Sequence, residues 1–120
     1  MLKQCLAIGL AGSLGALARF FITRQLPTNF PVGTLVINVS GSLILGFFLT
    51  AVDQRMISDT LKFGIGVGFV GAYTTFSTWM WDSFKMLERG DINRALLNIL
   101  GSILLGLAAV WVGAICGRRI

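Results

Sequence analysis

Long uncharged stretches of apolar residues occupy most of this 120-residue chain. The apolar core of a bilayer requires about 20 mostly apolar residues in a helix, and four segments qualify. They cover residues 4–23, 33–52, 63–81 and 95–117, and the only charged side chain inside them is Arg19. Charged residues make up 12% of the chain, about half the share usual in soluble domains. The sequence therefore predicts an all-α integral membrane protein, with four transmembrane helices in a single domain over residues 1–120.

Short connections separate the four spans. Residues 24–32 contain Pro27 and Pro31, which disfavour continuation of a helix. The other linkers, residues 53–62 and 82–94, carry most of the remaining charges, and no linker is long enough to form a separate domain. The apolar run after Lys3 looks like a signal peptide. However, the rest of the chain is equally apolar, so we interpret this run as a retained first helix.

Several function classes are disfavoured by what the chain lacks. It has no histidine, and its two cysteines, Cys5 and Cys116, are far apart, which argues against a zinc site and against His-based catalysis. The net charge is +5, but the basic residues flank apolar runs and form no continuous stripe. We therefore expect a membrane partner and no nucleic acid. No acidic residue lies inside a predicted span, although Asp82 borders the third. A coupled cation exporter is therefore disfavoured.

The basic residues are almost evenly divided between the two sides of the predicted membrane domain. Basic residues normally lie on the cytoplasmic side. With four spans, the termini and the second linker share one side, which carries five of them: Lys3, Arg55, Lys62, Arg118 and Arg119. The opposite side carries four: Arg24, Lys85, Arg89 and Arg94. This balance favours insertion in both orientations, and hence an antiparallel dual-topology dimer. Insertion in one orientation through weaker cues is the alternative.

Two polar side chains within the spans require partners, because polar groups are costly in hydrocarbon. Arg19 lies near the end of the first span. It either reaches the membrane interface beside Arg24 or packs inside the protein, fixing the helix or attracting anions. Asn38 lies near the start of the second span, and its amide is predicted to face the protein interior. Hydrogen bonding between helices and lining of a polar path both remain open for Asn38.

The third span is a poor membrane helix at its centre. Glycines at positions 66, 68 and 71 precede four hydroxyl residues within the five positions Thr74–Thr78. Glycine and β-branched residues weaken a helix, and non-helical backbone in a membrane requires protein or a polar cavity around it. We predict a break between Gly71 and Thr75, where free carbonyls could coordinate a small cation. Phe76 and Trp79 share a helix face, either as packing residues or beside the polar path.

Three segments, in this order, resemble the CrcB/Fluc family of fluoride channels. They are residues 12–20 in the first span, 33–38 in the second and 68–78 in the third, and the resemblance covers nearly the whole chain. It implies an antiparallel homodimer in the plasma (inner) membrane of a prokaryote, with two pathways for passive and selective export of fluoride. Pairing with a paralogous chain remains open. The alternatives are a small dual-topology multidrug or solute exporter and a non-transporting scaffold.

The resemblance also implies roles for individual residues. Phe76 matches a phenylalanine whose ring edge contacts fluoride, which suits the positive edge of an aromatic ring, and Asn38 matches a pore-lining asparagine. The carbonyls of Gly71 and Thr74 match positions that hold a structural Na⁺ between the subunits, and Arg19 matches an arginine of the first helix. The remaining pore residues implied or proposed are Thr75, Ser77, Thr78, Trp79 and Ser102.

Two features depart from the family pattern. Many relatives have a second phenylalanine where this chain has Trp79, whose indole is larger and carries an N–H donor. Relatives often have several polar pore residues in the fourth helix, whereas here only Asn98 and Ser102 are candidates. The fourth-helix side of the pathway is therefore sparsely assigned.

Overall fold

The computed structural model describes residues 1–120 and consists of helices joined by short turns. The elements in chain order are α1 (Leu2–Arg24), α2 (Val32–Asp53), α3 (Asp59–Lys62), a π-helix (Phe63–Val70), α4 (Gly71–Tyr73), α5 (Phe76–Glu88) and α6 (Ile92–Arg118). Helices α1, α2 and α6 are long and apolar enough to cross a membrane. They confirm the first, second and fourth predicted spans, and extend each of them by one to three residues at either end.

The third predicted span is divided into two half-helices. The first half-helix comprises α3, the π-helix and α4, and the second is α5. Between them, Thr74 (φ −83°, ψ 161°) and Thr75 (φ −149°, ψ 117°) are extended. The predicted break between Gly71 and Thr75 is therefore confirmed, and it falls at the C-terminal end of that interval.

Helix α5 continues past the predicted end of the third span. Asp82 was assigned to a linker over residues 82–94, but α5 continues to Glu88. Asp82 and Lys85 are three residues apart on this helix, and their carboxylate and ammonium groups are 3.2 Å apart. Such a pair is compatible with helix, so the charges do not end it. The chain turns at Gly90 instead, where φ is +76°, a conformation that glycine adopts without steric cost.

Two closely packed pairs of helices form the bundle. Helix α1 packs against the first half-helix, and α2 packs against α6. A Cβ atom at Gly15 would overlap the backbone carbonyl of Phe69, and one at Gly46 would overlap that of Val110. Close approach of backbones through small residues is the usual way in which helices associate in lipid.

Hydrogen bonds between linkers identify the two ends of the bundle. At one end, Gln54 Nε2 donates to the Arg118 carbonyl (3.3 Å), and Arg55 Nη2 donates to the Ile120 carbonyl (3.1 Å). At the other end, Arg94 Nη1 donates to the Asn29 carbonyl (3.5 Å). The second linker and the C-terminus thus share one end, and the first and third linkers share the other. This is the arrangement that four crossings require.

Candidate functional site

Asn38 on α2 holds both backbone polar groups of Thr75 at the break. Its Nδ2 donates to the Thr75 carbonyl (3.0 Å), and its Oδ1 accepts from the Thr75 N–H (2.8 Å). In a continuous α-helix this N–H would donate to the carbonyl of Gly71. The side-chain amide therefore replaces the missing helical partner and leaves the Gly71 carbonyl without its helical donor. The predicted interior orientation of Asn38 is confirmed.

Thr75 begins the second half-helix. Its Oγ1 accepts from the Thr78 N–H (3.3 Å) and lies 3.2 Å from Thr78 Oγ1. This is the N-cap arrangement that stabilises a helix start. The N-terminal end of α5, where N–H groups are unpaired and partial charge is positive, is thereby fixed beside the break.

Arg19 reaches the break from α1. Its Nη1 donates to the Thr74 carbonyl (3.2 Å), and the contact is partly buried. Arg24, in contrast, is exposed and lies over the Phe20 ring, 5.6 Å from its centroid. Of the two interpretations of Arg19, the structure supports the second, in which its side chain packs inside the protein. A carbonyl oxygen has two lone pairs, so this bond leaves the Thr74 oxygen able to accept one more contact.

Two adjoining grooves run beside the break. The first has a volume of about 260 Å³ and lies between α2, the break and α5, and the second, of about 350 Å³, lies between α2, α5 and α6. Asn38, Ser42 and Trp79 line both grooves. The first is completed by polar Thr74 and Thr75 with Phe76, and the second by Ser102 with aliphatic residues. Amide, hydroxyl and aromatic groups therefore line one continuous pair of open grooves on an apolar bundle.

Phe76 and Trp79 form an aromatic pair along these grooves. Their ring centroids are 5.7 Å apart and their planes are inclined by 74°, an edge-to-face contact. Phe76 is 70% exposed and borders the first groove. The edge of an aromatic ring carries partial positive charge, so the edge of the Phe76 ring can contact an anion.

Two of the predicted pore residues lie outside both grooves. Ser77 and Thr78 are exposed at the start of α5, and Thr78 contributes to the N-cap of that helix. Gly71 is also exposed. Together with Phe76, these residues form an exposed face of the broken helix, which we call the break face.

A charged cavity of about 300 Å³ lies at the end of the bundle that holds the first and third linkers. Its ionisable lining residues are Asp82, Lys85, Arg89, Asp91 and Arg94, a net charge of +1. A positively charged cavity attracts anions.

Thr34 and Asp82 form the inner part of this cavity and were not predicted. Thr34 Oγ1 donates to Asp82 Oδ2 (3.3 Å), and the Asp82 side chain is 17% exposed. The two residues are 48 positions apart in sequence, so no local sequence pattern could have predicted this contact. Asp82 was predicted to border the third span, and it lies inside α5.

The sequence profile of the family described as CrcB-like protein, Camphor Resistance (CrcB), matches residues 6–114. Three relatives are each named fluoride-specific ion channel FluC. The protein of Methylococcus capsulatus is 46% identical over 95% of this chain and 52% of its own length. That of Acidobacterium capsulatum is 42% identical over 94% of each chain. That of Solibacter usitatus is 40% identical over 95% of this chain and 98% of its own. This chain thus spans about half of the first relative and nearly all of the other two.

Proposed function

This chain belongs to the CrcB family, and we propose that it conducts fluoride passively out of the cell along the grooves beside Asn38. It is a multi-pass protein of the bacterial plasma membrane, and it is a channel and not an enzyme. The observation that carries the proposal is the convergence of the Asn38 amide, the Thr75 hydroxyl and the Phe76 ring on one groove. The exporter alternative is not favoured, because the three relatives are named as fluoride-specific ion channels.

The groove offers donors that substitute for the hydration shell of a small anion. The Asn38 amide has two N–H donors, and one is used on the Thr75 carbonyl. The second is available to an ion in either groove, since Asn38 lines both. Conduction requires several weak sites in series, so that an ion enters and also leaves. A series formed by Phe76, Asn38, Trp79 and Ser102 meets that requirement.

A second copy of the chain is proposed to cover the break face. Non-helical backbone is not tolerated against lipid and persists only where protein or a water-filled cavity surrounds it. The non-helical residues Thr74 and Thr75 are only partly buried in a single chain, and the break face beside them is exposed. The nearly equal division of basic residues between the two ends allows the partner to insert inverted. An antiparallel homodimer would contain two sets of grooves and hence two pores.

A structural Na⁺ is proposed at the centre of this dimer. Na⁺ is a hard cation and takes oxygen ligands. The Gly71 carbonyl has lost its helical donor to Asn38, and the Thr74 carbonyl accepts from Arg19 but keeps a second lone pair. The residues present therefore fit a cation held by two carbonyls from each copy. Arg19 would orient the Thr74 carbonyl.

We expect liposomes that contain the purified dimer and are loaded with fluoride to release it without a coupled ion gradient, as measured by a fluoride electrode. Protein-free liposomes are the control, and chloride-loaded ones test selectivity. A folded dimer that releases no fluoride would refute the channel proposal. Release that requires an opposing pH gradient would favour an exporter. Undiminished release by protein purified and reconstituted without sodium would contradict the structural Na⁺.

Antiparallel assembly predicts that each linker is present on both sides of the membrane. Met56 in the second linker and Thr28 in the first are exposed at opposite ends of the bundle. In a Cys5→Ser/Cys116→Ser background, we expect a membrane-impermeant thiol reagent added outside spheroplasts to label about half of Met56→Cys chains. The same fraction is expected for Thr28→Cys. Labelling of nearly all chains at one position and almost none at the other would show a single orientation.

A further inference from the structure

The hydroxyl of Ser102 differs from most of the other serine and threonine hydroxyls in the helices and at the break. Seven of these donate to the carbonyl four residues earlier in the chain: Ser13, Thr23, Ser40, Ser42, Thr50, Thr74 and Ser83. This back-bonding is the usual arrangement for such residues in a helix. Ser102 Oγ is buried and has no hydrogen-bond partner, although it lies on α6 at the edge of the second groove.

The acceptor that Ser102 would ordinarily use is engaged by Trp79. The carbonyl four residues before Ser102 is that of Asn98, and the Trp79 indole N–H donates to it (3.2 Å). In α6 the same oxygen is the helical acceptor of the Ser102 backbone N–H, so both of its lone pairs are used. Further contacts join the indole to Asn98 and Ser83, although Asn98 Oδ1 is itself buried without a hydrogen-bond partner. Asn98 Nδ2 donates to Ser83 Oγ (2.9 Å), which in turn donates to the Trp79 carbonyl (2.8 Å). Ser83 and Asn98 are only 3% and 2% exposed, so this arrangement is shielded from competing partners.

We propose that Trp79 is a positioning residue whose indole N–H keeps the Ser102 hydroxyl free to donate to fluoride in the second groove; this rests on the proposed channel function. A back-bonded hydroxyl must first lose its carbonyl to reach an ion. The Ser102 hydroxyl has no such bond to lose, and Ser102 lines the groove together with Trp79 and Asn38. Phenylalanine at this position would have no N–H and would leave the Asn98 carbonyl to Ser102.

A double-mutant cycle on fluoride efflux tests this role. Trp79→Phe retains an aromatic ring beside Phe76 but removes the N–H, so Ser102 should bond back to Asn98. We expect efflux to fall about fivefold, the equivalent of one ordinary hydrogen bond, and to match that of Ser102→Ala. The double variant should be no slower than either single one. Trp111→Phe, at an exposed tryptophan on α6, is the matched control and should conduct like the unaltered protein.

The outcomes separate this inference from the channel proposal. If the unaltered protein conducts and Trp79→Phe conducts equally well, or if the two losses multiply in the double variant, the positioning role is refuted and the channel stands. If the unaltered protein does not conduct, the channel proposal fails and the inference with it. Should Trp79→Phe not form the native dimer, replacement of Trp79 by benzothienylalanine changes only the N–H to sulfur. Its efflux should then equal that of Ser102→Ala, and unaltered efflux would overturn the inference.

Discussion

Asn38→Ala is expected to reduce fluoride efflux at least about a hundredfold, the largest effect of any substitution proposed for this protein. The change removes both hydrogen bonds that satisfy the Thr75 backbone. Each buried polar group left unpaired costs about 1–3 kcal/mol, and about 2.7 kcal/mol corresponds to a hundredfold change in rate. The break would then relax towards a different backbone path, and the groove would lose its amide donor. Efflux from liposomes at matched protein density measures the effect.

Two further variants define what Asn38 contributes. Asn38→Asp retains an acceptor for the Thr75 N–H but cannot donate to the Thr75 carbonyl when ionised, and its charge would repel an anion. It should therefore be as defective as Asn38→Ala. Asn93→Ala, at an exposed asparagine near the start of α6, should leave efflux unchanged. An Asn38→Ala dimer that elutes normally and conducts within twofold of the unaltered protein would contradict the assigned role.

Phe76→Ile is expected to lower efflux about tenfold while the dimer remains intact. Isoleucine retains apolar bulk at the edge of the first groove but has no positive ring edge to face an anion. Contacts of aromatic rings contribute about 0.5–1.5 kcal/mol beyond their buried area, and the upper figure is about tenfold in rate. The edge-to-face contact with Trp79, at a centroid distance of 5.7 Å, would be lost in the same variant.

Phe84→Ile is the matched control for this prediction. Phe84 lies on the same helix and is 50% exposed, but it lines neither groove. It should conduct like the unaltered protein. A scaffold without a pore would respond to both substitutions only through its stability, measured as thermal unfolding in detergent. Equal efflux from the Phe76→Ile and Phe84→Ile variants would therefore argue against a fluoride contact at Phe76.

The helices that cross the membrane were predictable because their signal is local. Hydrophobic length alone located α1, α2 and α6 within a few residues. The break was also predictable, since glycines followed by hydroxyl residues weaken a helix wherever it packs. The end of α5 was not predictable, because the charged Asp82 was interpreted as the first residue of a linker. Within α5, Asp82 contacts Thr34 and Lys85, and the contact with Thr34 joins segments that are distant in sequence.

The residues of the site could be named from the sequence, but their individual tasks could not. Arg19 had two equally reasonable interpretations until its guanidinium was found on the Thr74 carbonyl. Ser77 and Thr78 belonged to the same hydroxyl-rich run as Thr75, yet only Thr75 lines a groove. The direction of a side chain around a broken helix depends on two extended residues, and sequence spacing does not specify their dihedral angles.

The sequence by itself determined that this chain lies in a membrane, which segments are helical and where the third span is broken. Transfer into lipid and helix propensity both depend on composition over short windows of sequence. Only the tertiary structure decided which polar groups meet. Asn38 satisfies Thr75, Arg19 holds Thr74, and Trp79 takes the acceptor of Ser102. Hydrogen bonds need atoms within about 3 Å in a suitable direction, and that is a property of packed helices and not of their order along the chain.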